Sequence, residues 1–243
     1  MKNSRKKILI AVISVLAVLI LLCGVCAIIM LDCHKADMDA IDAFITENEV
    51  AYTTDGAYTV FAPKGATKGL IYYPGARVEH EVYLSLMEAC ADRGILCVLV
   101  EMPLYFPLIG SNLADGVREK YPEIEDWYIG GHSLGGYAAS MYLDDHLDEF
   151  KGLILLASYT AVDLKGKDVD VLTVYGTEDQ VMNRERYEEG LTLIPEDYTE
   201  LVIEGGTHAF FGMYNGQDYD CAKGITNEEQ LLLTADAIAE FMK

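Results

Sequence analysis

The sequence predicts an α/β protein: a mostly parallel, twisted sheet with helices on both faces, preceded by one transmembrane helix. Two observations predict it. Six short apolar runs (Gly69–Tyr73, Ile95–Val100, Trp127–Ile129, Gly152–Leu156, Val171–Tyr175 and Glu200–Ile203) alternate with stretches of helical spacing. Buried strands interleaved with amphipathic helices mean βαβ units. Ahead of them, Ile8–Leu31 is a run of 24 residues without a charge, long enough as a helix to cross about 30 Å of hydrocarbon.

The elements follow in chain order. Residues 1–7 form a basic N-terminus holding Lys2, Arg5, Lys6 and Lys7, and residues 8–31 a transmembrane signal anchor. The competing cleaved signal peptide would have a shorter apolar core of about 7–15 residues and a small-x-small site, which Val25-Cys26-Ala27 matches poorly. No Cys has the small residues before it that a lipoprotein signal needs. Cations before the span and acids after it place the N-terminus in the cytoplasm and the body outside the membrane. Residues 32–49 are a connecting helix, with apolar spacing at Met38, Ile41, Phe44 and Ile45, and residues 50–243 are one α/β domain. Its leading segment, Tyr52–Phe61, reads as an antiparallel hairpin turning near Asp55-Gly56. Helices are predicted over Glu79–Arg93, Gly110–Lys120, Leu134–His146, Asn183–Gly190 and Asn227–Met242.

Composition excludes several function classes. All 39 acidic residues lie after the span, against 14 of the 18 basic ones, and such a body repels phosphate backbones and anionic lipid. No nucleic-acid partner is expected. With 51% hydrophobic and 23% charged residues, disorder and a disulfide scaffold are also excluded. In the body no CxxC pair or Cys/His cluster has metal-ligand spacing, so neither metal nor cofactor is expected. Cys97 reads as a buried free thiol, while a disulfide among Cys33, Cys90, Cys97 and Cys221 stays open.

In an open α/β sheet, sites form beyond the carboxyl ends of the strands. There the chain carries Gly131-His132-Ser133-Leu134-Gly135, a G-x-S-x-G between a strand and a helix. The turn is so sharp that only small residues fit two positions either side of the serine. A serine hydroxyl needs an adjacent base held by a third group. Of five histidines, His208 alone stands in a loop directly past a strand, whereas His34, His80, His132 and His146 have other settings. For the acid, Asp179 past Val171–Tyr175 is preferred, with Asp163 the runner-up and Glu178 a weaker neighbour. Oxyanion donors are expected from the backbone N–H groups of Leu134 and Ala76. Arg77 is a candidate for meeting an anionic substrate group, with a surface ion pair as its alternative.

These residues carry a resemblance to the α/β-hydrolase superfamily, nearest to its compact fold-5, dienelactone-hydrolase-like group. The similar stretches are Tyr72–Val78, Tyr83, Met102-Pro103-Leu104, Gly131–Gly136, Gly176–Asp179, and Gly205–Gly212 with Gln217. The resemblance implies an eight-stranded sheet or a trimmed version of it, with Ser133, Asp179 and His208 as the triad. Many relatives carry a second glycine where Ala76 stands here. The 14 residues from Ala157 to Asp170 leave no room for a helical cap domain. The expectation is a serine hydrolase cleaving a small-molecule or lipid-like carboxylic ester. An acyltransferase or peptidase on the same triad, and a catalytically silent membrane-anchored binding protein, stand as alternatives. Oligomeric state is not legible.

Overall fold

The computed structural model describes residues 2–45, 51–216 and 222–243. Eight strands form one sheet in the order β1-β2-β4-β3-β5-β6-β7-β8. They are β1 (Tyr52–Asp55), β2 (Tyr58–Phe61), β3 (Lys68–Tyr73), β4 (Ile95–Val100), β5 (Asp126–His132), β6 (Gly152–Leu156), β7 (Asp170–Gly176) and β8 (Thr199–Ile203). The β1–β2 hairpin is antiparallel and lies antiparallel on β4; all later pairings are parallel.

Strand alternation sorts the core into two layers. Leu70 and Tyr72 of β3, with Ile95, Cys97 and Leu99 of β4, face the layer under α3 (Leu84–Ala91) and α6 (Asn227–Phe241). Their neighbours Ile71, Tyr73, Leu96, Val98 and Val100 face the layer under α4 (Leu134–Asp144). Both faces of a parallel sheet are thereby covered, which is why the strands read as continuous apolar runs. Cys97 and Cys90 are buried free thiols, and Cys221 lies outside the described residues.

Helix α1 runs from Lys2 to Leu31 and α2 from Met38 to Ile45. The expected connecting helix is thus shorter at its start. Asp32–Asp37 is extended and bridges to the body at Val78 and Tyr214. Its backbone groups are taken by partners outside the segment, so it does not close helical turns. Helix α2 buries Ile41 in the layer below α3, a contribution of about 1.5–3 kcal/mol. Residues 46–49 of the expected helix, like Gln217, lie outside the described residues.

One expected helix is absent. Gly110–Lys120 forms two 3₁₀ turns, Ser111–Ala114 and Arg118–Lys120, with Gly116 between them at φ +73°. That left-handed residue cannot continue a helix. A second difference is that β5 continues through Gly130, Gly131 and His132, where intrinsic propensity would stop it. Parallel pairing on both sides carries the strand on: Tyr73 opposite Gly131, and His132 opposite Leu156. After β3 the chain moves to β4 on one side and then returns to β5 on the other. The crevice for a ligand opens at such a reversal.

Candidate active site

Ser133 sits at the tip of the β5–α4 turn with φ +53° and ψ −125°, a strained conformation for a residue bearing a Cβ. Its neighbours hold it there. The Ser133 N–H donates to the Leu156 carbonyl at 2.9 Å, and Ser158 Oγ donates to the Ser133 carbonyl at 2.6 Å. A Cβ on Gly131 would stand 2.4 Å from the Tyr73 carbonyl oxygen, and one on Gly135 2.1 Å from the same atom. Both glycines are therefore required by packing of the turn against the end of β3.

Asp179 and His208 come from the loops after β7 and β8. His208 Nδ1 donates to Asp179 Oδ2 at 2.9 Å, and the carboxylate side chain is fully buried. Asp179 Oδ1 accepts the N–H groups of Val181 and Met182, each at 2.8 Å. Burial pushes the Asp179 carboxyl up, but the His208 ring and the two N–H donors outweigh it and hold it below its ordinary value. A carboxylate so placed fixes the imidazole with Nδ1 protonated, leaving Nε2 as the basic nitrogen.

His208 has a second support that sequence reading does not find. Gln230 of α6 is fully buried, accepts the Thr207 N–H and donates to the Thr207 carbonyl, each at 2.9 Å. It clamps the residue before His208 on both sides. Its signal in the sequence was only an apolar-facing glutamine one turn after Thr226, whose side chain caps the helix with Glu229.

Ala76 stands in the turn after β3, and Leu134 opens α4. The N–H of Gly75 donates to Tyr83 Oη at 3.1 Å, and that of Arg77 donates to the Tyr105 carbonyl at 2.6 Å. Among the described residues the intervening Ala76 N–H has no acceptor. The Leu134 N–H belongs to the first turn of its helix and has no acceptor within it. Two donors are thus left open at one cavity.

His132, inside the turn beside Ser133, lies at the centre of a buried network. Tyr83 Oη is 2.8 Å from His132 Nδ1 and 3.1 Å from Tyr214 Oη. The His132 ring stands 4.4 Å from that of His208. Burial, reinforced by the charge of His208, holds the His132 pKa well below its ordinary value, so it is neutral.

The cavity around Ser133 and His208 has two lobes. One of 320 Å³ is lined by Leu134, Tyr137, Tyr159, Asn183 and Arg186 among others. The other, 250 Å³, is lined by His34, Ala76, Val78, Ala209 and Tyr214. Val181 rims both. A larger depression of 670 Å³ near Arg118 and Lys151 lies at the amino ends of the strands and holds none of these groups.

The remaining candidates are elsewhere. Asp163 is exposed, and its carboxylate accepts the Lys165 N–H at 3.0 Å. Glu178 pairs with Lys223 at 2.6 Å. Arg77 does not line the cavity: its guanidinium pairs with Asp32 at 2.9 Å and donates to the Asp32 carbonyl at 3.0 Å. The ion-pair alternative describes it, because both its guanidinium contacts are to Asp32, the residue after α1. Arg186, on the opposite lobe, is the guanidinium that does reach the cavity. His34, which the sequence does not mark as a site residue, lines the cavity as well.

A family model described as the alpha/beta hydrolase family matches residues 69–232. The chain belongs to that family. Similar solved structures are TT1662 from Thermus thermophilus (TM-score 0.59, 14% identity, 80% of this chain and 99% of that one) and Est1E from Butyrivibrio proteoclasticus (0.56, 17%, 79% and 97%). Est1E with ferulic acid bound is similar too, with TM-score 0.57 and 16% identity over 79% of this chain and 97% of that one. At such identities the likeness is one of fold. No curated protein matches the chain in sequence. The family match runs from β3 into α6, and α1 and α2 precede the sheet.

Proposed function

We propose that this alpha/beta hydrolase is a membrane-anchored, extracytoplasmic serine hydrolase that cleaves a carboxylic ester through an acyl-enzyme. Ser133 is the nucleophile, His208 the base and Asp179 the residue that orients it. The observation that carries the reading is the 2.9 Å bond from His208 Nδ1 to a buried Asp179, beside a strained Ser133 at the same cavity.

The chemistry follows from these positions. His208 Nε2 takes the Ser133 proton as Oγ attacks the ester carbonyl. The N–H groups of Ala76 and Leu134 receive the oxyanion, worth roughly 2.7–4 kcal/mol per donor. The acyl C–O bond breaks, and His208 returns its proton to the departing alcohol. Water then attacks the acyl-enzyme, giving its proton to His208 and its oxygen to the acid, and Ser133 is regenerated. The lobe with Asn183 and Arg186 and the more apolar lobe with Val78 and Ala209 offer separate seats for the two halves of an ester.

Anchoring rests on α1, which holds one span long and apolar enough to cross a membrane, and on the four cations before it with no acid. Moving those cations outward would oppose the membrane potential by about 2.3 kcal/mol per charge per 100 mV. The test of activity is labelling by a fluorophosphonate and hydrolysis of p-nitrophenyl acetate by the full chain. A chain that is folded yet neither labelled nor active would end this reading.

A further inference from the structure

The segment that leaves α1 is part of the catalytic cavity. His34, three residues beyond Leu31, lines the apolar lobe beside Ala76 and Tyr214. Three residues span at most about 10 Å, so the lobe lies no farther than that from the end of the apolar helix. The segment is held rather than tethered. The His34 N–H donates to the Arg77 carbonyl at 2.7 Å, and the Glu79 N–H donates to the His34 carbonyl at 3.0 Å. On its other edge the Asp37 N–H donates to the Met213 carbonyl at 3.1 Å, and the Asn215 N–H to the Lys35 carbonyl at 2.9 Å. Glu79 adds bonds to Lys35 Nζ at 2.7 Å and to the Ala36 N–H at 3.1 Å.

The same corner carries exposed apolar side chains. Helix α1 approaches the Pro103–Tyr105 turn, which the oxyanion loop grips through Arg77 N–H and the Tyr105 carbonyl. Leu104, Leu108 and Ile109 in and after that turn are 47%, 38% and 50% exposed. Clustered exposed apolar residues continuous with a membrane span are an interfacial surface. The hydrocarbon layer is about 30 Å thick and the bilayer with its headgroups about 40–45 Å, so the headgroup zone is only several Å deep on each side. A lobe beside a residue within about 10 Å of the helix end therefore lies in the headgroup zone or a few Å above it.

We infer that the cavity opens onto the outer membrane surface, with the 104–109 loop resting in the interface. Its substrate is an ester whose acyl chain is seated in the bilayer, entering past His34. The excess of acid in the body repels anionic headgroups, so the substrate is an uncharged or zwitterionic lipid ester. This rests on the anchor and serine-hydrolase reading given above.

The test uses the full chain in vesicles of diether phosphatidylcholine, which has no carboxylic ester, carrying dioleoylglycerol or dioleoylphosphatidylcholine. Oleate release is measured beside hydrolysis of p-nitrophenyl acetate from solution. Two variants are compared: a Gly/Ser spacer of about ten residues inserted between Leu31 and Asp32, which lifts the body while leaving its docked segment intact, and Leu108→Asp with Ile109→Asp. The expected result is unchanged p-nitrophenyl acetate hydrolysis in all three proteins, with oleate release about tenfold or more lower in both variants. Equal oleate release by wild type and spacer variant overturns the inference. So does a wild type that hydrolyses p-nitrophenyl acetate but neither lipid. A wild type inactive on every ester overturns the serine-hydrolase reading instead.

Discussion

His208 Nδ1 and Asp179 Oδ2 meet at 2.9 Å across the ends of two adjacent parallel strands, β7 and β8. On the proposed reading Asp179 is the orienting acid, while Asp163 is exposed after β6. Asp179→Asn should present the wrong tautomer and cut the rate about 10³–10⁴-fold. Asp163→Asn should change it less than about tenfold. Steady-state rates on p-nitrophenyl acetate rank the two, and the opposite order would displace Asp179.

Ser133→Ala should lower turnover by about 10⁴-fold or more and abolish fluorophosphonate labelling. The melting temperature should hold or rise slightly, since the strained backbone at φ +53° is unaffected by loss of one hydroxyl. A labelled Ser133→Ala protein would point to another nucleophile.

Tyr83→Phe removes the acceptor of the Gly75 N–H and the partner of His132 Nδ1. The Ala76 N–H next in the chain should lose its fixed aim, so kcat should fall about 10–100-fold with KM little changed. Two buried groups left unpaired cost about 1–3 kcal/mol each, visible as a lower melting temperature. Full kcat in a destabilised Tyr83→Phe protein would confine Tyr83 to packing.

His132 gives stability a pH dependence with a definite sign. Its folded pKa lies well below the ordinary 6.5, first through burial and then through the charge of His208. The unfolded chain therefore binds more protons below that value, so the stability it contributes is complete above pH 6.5 and lost as pH falls. Asp179, with its pKa lowered, loses its contribution only below its ordinary 3.8. Between about pH 7 and 5, calorimetry should show a steeper fall in melting temperature for wild type than for His132→Asn. Parallel slopes would count against a neutral buried His132.

Protease added to intact spheroplasts should digest the body and leave a fragment containing α1 with a tag on Met1. The excess of Lys and Arg before the span dictates that direction. A body protected until lysis, or a mature N-terminus after Ala27, would replace the anchor by another topology.

The sequence by itself determined the alternation of strands and helices, the apolar span, and the G-x-S-x-G turn. These are local: strand burial writes a continuous apolar run, and the turn after β5 demands glycines at 131 and 135 because Tyr73 O stands against both. It also put Asp179 and His208 at strand ends, since parallel topology brings every such loop to one edge. Only the tertiary structure decided which groups touch. Gln230 clamps Thr207 across 23 residues and Tyr83 reaches His132 across 49, contacts that leave no periodic mark on the chain. Arg77 was drawn from the cavity by Asp32, 45 residues earlier, while His34 was brought into it by pairing with Val78. The helix expected at Gly110–Lys120 failed for a local reason, the left-handed Gly116, and β5 outran its propensity for a distant one, pairing with strands on both sides. Propensity is set within a few residues; the site is assembled by hydrogen bonds and packing between segments that only the folded chain makes neighbours.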